Sequence, residues 1–263
     1  VHPYRWPTIG LSVDDIKNAS HEDIKSFFAQ HYAVNNLILC VSGHIEFEKA
    51  VALTEKWFGD FAPANIPVRN LPQEPVQTEQ RFMSVKREVP QNVLTMMYHM
   101  CGRRDADYQV CDMLSDVLSN GMSSRFYRNV LVKSGLFTEL DASVSGTYDP
   151  GLFIVRARLA DGVSFDKAKD AIDAELADFV RNGATAYEIE KCANKYESTR
   201  LFDMITYEKK GVKLCQYELL GDAADINKEV GKYRCITQDR LMNVAKNLLN
   251  PDNCSILYYG PDA

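Results

Sequence analysis

The 263-residue sequence lacks most of the features that announce a chemistry at sight. It has no Cys-x-x-Cys pair, and its seven cysteines are odd in number. A disulfide framework is not expected in a chain of this size, nor a cysteine metal site without paired spacing. The cysteines read as buried free thiols, as in Leu39-Cys40-Val41. No apolar run approaches the roughly 18 residues that span a bilayer. No Lys/Arg block is longer than two residues, and the net charge is −6 with a pI near 5.5. A nucleic-acid partner would want a basic face, so none is expected. GxSxG, GxGxxG and P-loop signatures are missing. The opening VHPYRWPTIG has no initiating Met, no basic leader and no apolar core of a signal segment, and reads as if cut from something longer.

What is present is a repeat. Ser20–Gly43 (SHEDIKSFFAQHYAVNNLILCVSG) and Thr237–Gly260 (TQDRLMNVAKNLLNPDNCSILYYG) are both 24 residues long and align without a gap at a constant offset of 217. Each opens on a hydroxyl residue suited to an N-cap. Ile24, Phe27, Phe28, His31 and Tyr32 follow at the spacing of one helix face, as do Leu241, Val244, Ala245, Leu248 and Leu249. Asn35-Asn36 and Pro251-Asp252-Asn253 break the helices. Leu37–Val41 and Ile256–Tyr259 read as strands, stopped by Gly43 and Gly260. Only Asn36/Asn253 and Gly43/Gly260 are identical, so the pattern carries the match.

If each cassette closes one lobe, the second has a full lobe before it and the first has almost none. The expected domains are therefore residues 1–66, the end of a first lobe; 67–80, a linker within the Pro-rich stretch 61–80; and 81–263, a complete second lobe. Residues 81–100 read as strand, and 105–119 and 123–134 as helices. Two strands meet across Gly146–Gly151. Ser164 opens a helix that ends at Gly183, and Thr185-x-x-Glu188 caps another. The expected fold class is α+β: two-layer sandwich lobes of mostly antiparallel sheet with helices on one face, one lobe truncated. The apolar faces of helices near 20–34 and 46–59 are expected to stand uncovered, or to be shielded by a second copy.

Candidate chemical groups are few. His44, Glu46 and Glu48 were weighed as metal ligands, but acidic residues opening a helix account for the glutamates. His31 reads as core, His21 as exposed and His99 as a strand residue. A nucleophilic Ser in SNGMSSRFYRN (119–129) is disfavoured, because Gly121 between two helices explains that stretch.

HPY…W near the start, FFAQHYAVNNLILCVSGHI and GMSSRFYRNVLVKSGLF together resemble the M16 metallopeptidase family, the insulinase, pitrilysin and mitochondrial processing peptidase group. The resemblance runs from His2 to Gly260. It implies a unit of two similar lobes, paired with a second M16-type unit in a homodimer or heterodimer around an unstructured peptide. Its zinc motif, HxxEH, would lie upstream, so zinc is implied for the parent protein and none for this chain. The family's substrate-holding Arg and Tyr fall on Leu131 and Thr138, so both groups are lost and no catalytic, substrate-binding or metal residue is assigned here. The implied function is the C-terminal, non-catalytic portion of a zinc metalloendopeptidase. The alternative is a structural or partner subunit, as with the core proteins of the bc1 complex. The compartment stays open between bacterial periplasm or envelope and cytoplasm.

Overall fold

A computed structural model describes residues 1–261. In chain order its elements are α1 (Val13–Lys17), α2 (His21–His31), α3 (Phe47–Phe58), β1 (Arg81–Arg87), β2 (Val93–Met100) and α4 (Tyr108–Ser119). A π-helical stretch, Phe126–Leu131, runs into the short α5 (Val132–Ser134). Then come β3 (Phe137–Val144), β4 (Gly151–Leu159), α6 (Phe165–Asn182), α7 (Ala186–Asp203), α8 (Tyr207–Leu220), α9 (Glu229–Arg234), α10 (Gln238–Leu248) and β5 (Cys254–Pro261). The chain divides into two compact units. The first holds Val1–Val76 and Met204–Ala223, and the second Gln77–Asp203 and Ala224–Ala263. Helix α8 thus belongs to the first unit, although it lies inside the 81–263 segment of the sequence reading.

The second unit is built on one five-stranded sheet, ordered β1-β5-β2-β4-β3. Only the β1/β5 pair is parallel; the other neighbours are antiparallel. Strand alternation sends one face inward. Leu94, Met96, Tyr98 and Met100 of β2 are buried, with Phe153, Val155, Ala157 and Leu159 of β4 beside them. The register places Met96 opposite Val155 on one side and Ile256 on the other. Helices α4, α6 and α10 supply the second layer through Met113, Leu114, Val117, Ile172, Phe179, Leu241 and Ala245. Ser164 caps α6 and Gly183 ends it at φ 72°, a left-handed value that glycine adopts without strain. The α+β reading holds for this unit.

Gln77 begins the second unit and is buried. Its Nε2 donates to the carbonyl oxygens of Cys254 (2.9 Å) and Asp252 (3.1 Å), and its Oε1 accepts from Ser255 Oγ (3.1 Å). The last residues before β1 are therefore attached to the sheet.

The repeat is reproduced to the residue, since an offset of 217 carries α2 onto α10 and the 3-10 turn Val34–Asn36 onto Pro251–Asn253. Ser20 and Thr237 both cap their helices through side-chain oxygen. Asp23 completes a capping box on Ser20. The identical asparagines do identical work: Asn36 Nδ2 donates to the His31 carbonyl at 2.8 Å, and Asn253 Nδ2 to the Leu248 carbonyl at 2.9 Å. Each satisfies a carbonyl that the helix end leaves free. Asn253 also reaches the His99 carbonyl at 3.0 Å. Replacing Asn253 by Ala is expected to cost about 2 kcal/mol, two hydrogen bonds at roughly 1 kcal/mol each, read from the midpoint of urea unfolding.

Three expectations are corrected. Leu37–Val41 is not a strand, because a strand needs a ladder partner and the first unit offers none among the described residues. Gly260 does not stop β5, which continues to Pro261 by pairing with Lys86 and Arg87. Its small size has another use: a Cβ there would lie 2.2 Å from Asn92 Oδ1. Finally, only Cys111, Cys192 and Cys254 are buried; Cys40, Cys101 and Cys215 are half-buried and Cys235 is exposed.

Candidate functional site

No residue of 1–76 is buried. The cause is visible in α2, whose apolar face is well formed but left exposed among the described residues. Ile24, Phe28 and Tyr32 are 60%, 61% and 55% exposed, whereas the equivalent Leu241, Ala245 and Leu249 are 0%, 0% and 7%. Phe28 and Tyr32 stack on each other at 4.7 Å, and Phe27 meets the His31 ring at 4.5 Å. His31 is half-buried, so it is not the core residue that its spacing suggested. Residues Asp23, Ile24, Phe27, Phe28 and Tyr32 line an open, almost wholly apolar depression. On α3, Phe47, Val51, Trp57 and Phe58 are also exposed, as are Leu37, Ile38, Leu39 and Val41 between the helices. So many large apolar side chains left exposed within one unit mark an interaction surface.

The residues weighed for chemistry do not assemble. Glu46 is the N-cap of α3 and Glu48 lies in its first turn, so the helix explains both. Among the described residues, no three His, Cys, Asp or Glu side chains come together as a metal-binding group. The residues present do not fit a zinc ion. His21 is the first residue of α2 and exposed; His99 is half-buried in β2. Ser124 is fully buried, away from any substrate. Leu131 ends the π-helical stretch and packs against the core. Thr138 sits at the irregular step of β3 between Phe137 and Glu139, with its hydroxyl 3.5 Å from the Arg158 carbonyl.

Two partly buried polar networks tie the helices of the second unit together. In the first, Arg125 grips Glu188 with two hydrogen bonds, Nε to Oε1 at 2.8 Å and Nη2 to Oε2 at 3.0 Å. Nη2 also donates to the Gly183 carbonyl at 2.6 Å, and the guanidinium lies over Phe179 at 4.9 Å. Glu188 accepts from Thr185 N at 2.8 Å, closing the capping box of α7. Burial would raise the Glu188 carboxyl, but Arg125 and the Thr185 bonds outweigh it and hold the group at about 2. The sequence shows the Thr185/Glu188 cap; nothing in it shows that Arg125, some 60 residues earlier, completes the site.

In the second network the Tyr233 hydroxyl donates to Asp112 Oδ2. Gln109 Nε2 donates to the buried Glu229 at 3.1 Å, Lys232 pairs with Glu229 at 3.2 Å, and Tyr196 stacks on Tyr233 at 3.6 Å. Burial pushes the Asp112 carboxyl up against the pull of the Tyr233 bond. Such a shift inside a cleft would suggest catalysis. Here the groups face one another between α4, α7 and α9, which makes them a helix-clamping network.

The comparisons with known proteins agree with this geometry. The profile of the peptidase M16 inactive domain matches residues 18–196, more than half of the chain. Zinc protease PqqE of Helicobacter pylori is 27% identical over 195 residues, covering 72% of this chain and 43% of that protein. A crystal structure of a protease from Helicobacter pylori superposes with a TM-score of 0.90 at 22% identity, over 99% of this chain and 64% of that one. The peptidase M16 inactive domain from Pseudomonas fluorescens gives 0.85 at 18% identity, over 99% and 62%. The chain spans about half the length of the curated relatives it matches. The repeated cassette, the one-sided sheet and the matched profile lead to one conclusion: this chain belongs to the peptidase M16 family, as its inactive domain.

Proposed function

We propose that the chain is the non-catalytic C-terminal half of a zinc-dependent metalloendopeptidase that acts on unstructured peptides. It supplies chamber wall and scaffold, and it works with a second M16-type unit. The observation that carries this reading is the contrast between the two copies of the cassette. The α10 face is sealed by a sheet-and-helix layer, and the same face on α2 is bare. A preceding lobe of the same build would cover α2, and relatives about twice as long as this chain have room for one. The names of those relatives support zinc and proteolysis for the whole protein. Among the described residues, no three His, Cys, Asp or Glu side chains group to hold a metal ion.

The test compares the full-length protein with the present chain. The full-length protein is expected to hold about one zinc per chain, as a closed catalytic site requires. It should cleave an unfolded peptide such as reduced, alkylated casein, and a chelator should stop it. The present chain alone is expected to give no cleavage under the same conditions. Zinc-dependent cleavage by the chain alone would overturn the assignment. A full-length protein without zinc would replace it with the second reading, a structural or partner subunit.

A further inference from the structure

The first unit brings two thiols together from distant parts of the sequence. Cys40 lies in the segment between α2 and α3, and Cys215 lies on α8. Three contacts fix the approach. Gly211 is buried, and a Cβ built on it would stand 3.7 Å from Cys40 Sγ and 3.6 Å from Ser42 Cβ. Residues 40–42 therefore lie flat on α8 at Gly211. Cys215 is one helical turn further on, on the same face of α8. Its Sγ sits 3.9 Å from the Ile38 carbonyl oxygen. Both thiols therefore lie over the same face of α8.

We propose that Cys40 and Cys215 form a redox-sensitive dithiol that closes to a disulfide and staples α8 to residues 38–42. Both thiols are half-buried, so an oxidant can reach them. The oxidant is a small disulfide such as oxidised glutathione. One cysteine, as thiolate, attacks a glutathione sulfur and expels the first glutathione thiolate. The second cysteine then attacks the mixed disulfide and expels the other. Two protein thiols are oxidised, one disulfide is reduced to two thiols, and each departing thiolate takes up one of the two protons released. The step needs the two sulfurs to close to bonding distance from positions over the same face of α8. The staple would join two stretches of a unit that lacks a buried core over residues 1–76. A link between residues so far apart in the chain constrains the unfolded state.

The intact chain is treated with oxidised glutathione under native conditions, quenched with an alkylating agent and digested with trypsin. Cys40 falls in peptide 26–49 and Cys215 in peptide 214–228, and neither peptide holds another cysteine. A cross-linked 26–49/214–228 species is expected, with exposed Cys235 recovered as a glutathione adduct in the same sample. Cys215→Ser should abolish the cross-link and leave Cys40 as a glutathione adduct. Both tryptophans, Trp6 and Trp57, lie in the first unit. The urea midpoint of their fluorescence should shift upward on oxidation and return on reduction with dithiothreitol. Recovery of Cys40 and Cys215 as separate adducts, or still free, while Cys235 is modified would overturn the proposal.

Discussion

Replacing Glu188 by Ala is expected to destabilise the second unit by about 3 kcal/mol. The loss has two sources. Arg125, only 12% exposed, would keep its charge without its bidentate partner, and breaking a buried pair typically costs about 3–5 kcal/mol. The Thr185 amide would lose its cap as well, at about 1 kcal/mol. Asp178, 3.8 Å from Arg125 Nη1, recovers part of the sum. The same site has a pH signature. The folded Glu188 carboxyl titrates at about 2, below its ordinary 4.5. A depressed carboxyl contributes stability that is complete above the unfolded value and disappears as pH falls through the folded one. The stability difference between wild type and Glu188→Gln should therefore be constant near neutrality and shrink from pH 4.5 toward pH 2. Asp112, held high by burial, works in the opposite sense in both proteins and cancels in the comparison. Urea titrations at a series of pH values give the curve. A difference that persists unchanged to pH 2 would remove the ion pair as the cause.

Leu241→Ala and Ile24→Ala are expected to differ by about 3 kcal/mol although they alter equivalent positions of the repeat. Leu241 is 0% exposed and packed among α4, α6 and β2, so its truncation leaves a cavity and costs about 3 kcal/mol. Ile24 is 60% exposed and its truncation should stay within about 0.5 kcal/mol in this chain. In the full-length protein the proposed preceding lobe would bury Ile24, and there the cost should rise to that of Leu241. The measurement is far-UV circular dichroism against urea for both variants in both lengths. A neutral Ile24→Ala in the full-length protein would mean that the preceding lobe does not cover α2, and would count against the lobe-by-lobe reading of the repeat.

Where local chemistry decides the outcome, the sequence alone determined this protein. Ser20, Thr237, Ser164 and Thr185 each sit one residue before their helix, because a hydroxyl meets the free amides of a first turn wherever the helix is placed. Apolar spacing of 3.6 marks α2 and α10 equally, and Asn36 and Asn253 close both in the same way. Hence the repeat and the α+β class were legible, and the resemblance to the M16 family followed from the order of its motifs. Tertiary structure decided whatever depends on a partner from elsewhere in the chain. Leu37–Val41 has the composition of a strand, but the ladder hydrogen bonds must come from a neighbour, and none of the described residues provides it. Gly260 carries the mark of a stop, yet β1 keeps β5 running past it. The α2 and α10 faces are alike in pattern and opposite in burial, because periodicity says which side of a helix is apolar and not what lies against it. Arg125 with Glu188, Tyr233 with Asp112 and Cys215 with the Ile38 carbonyl are long-range encounters that only the folded chain brings about.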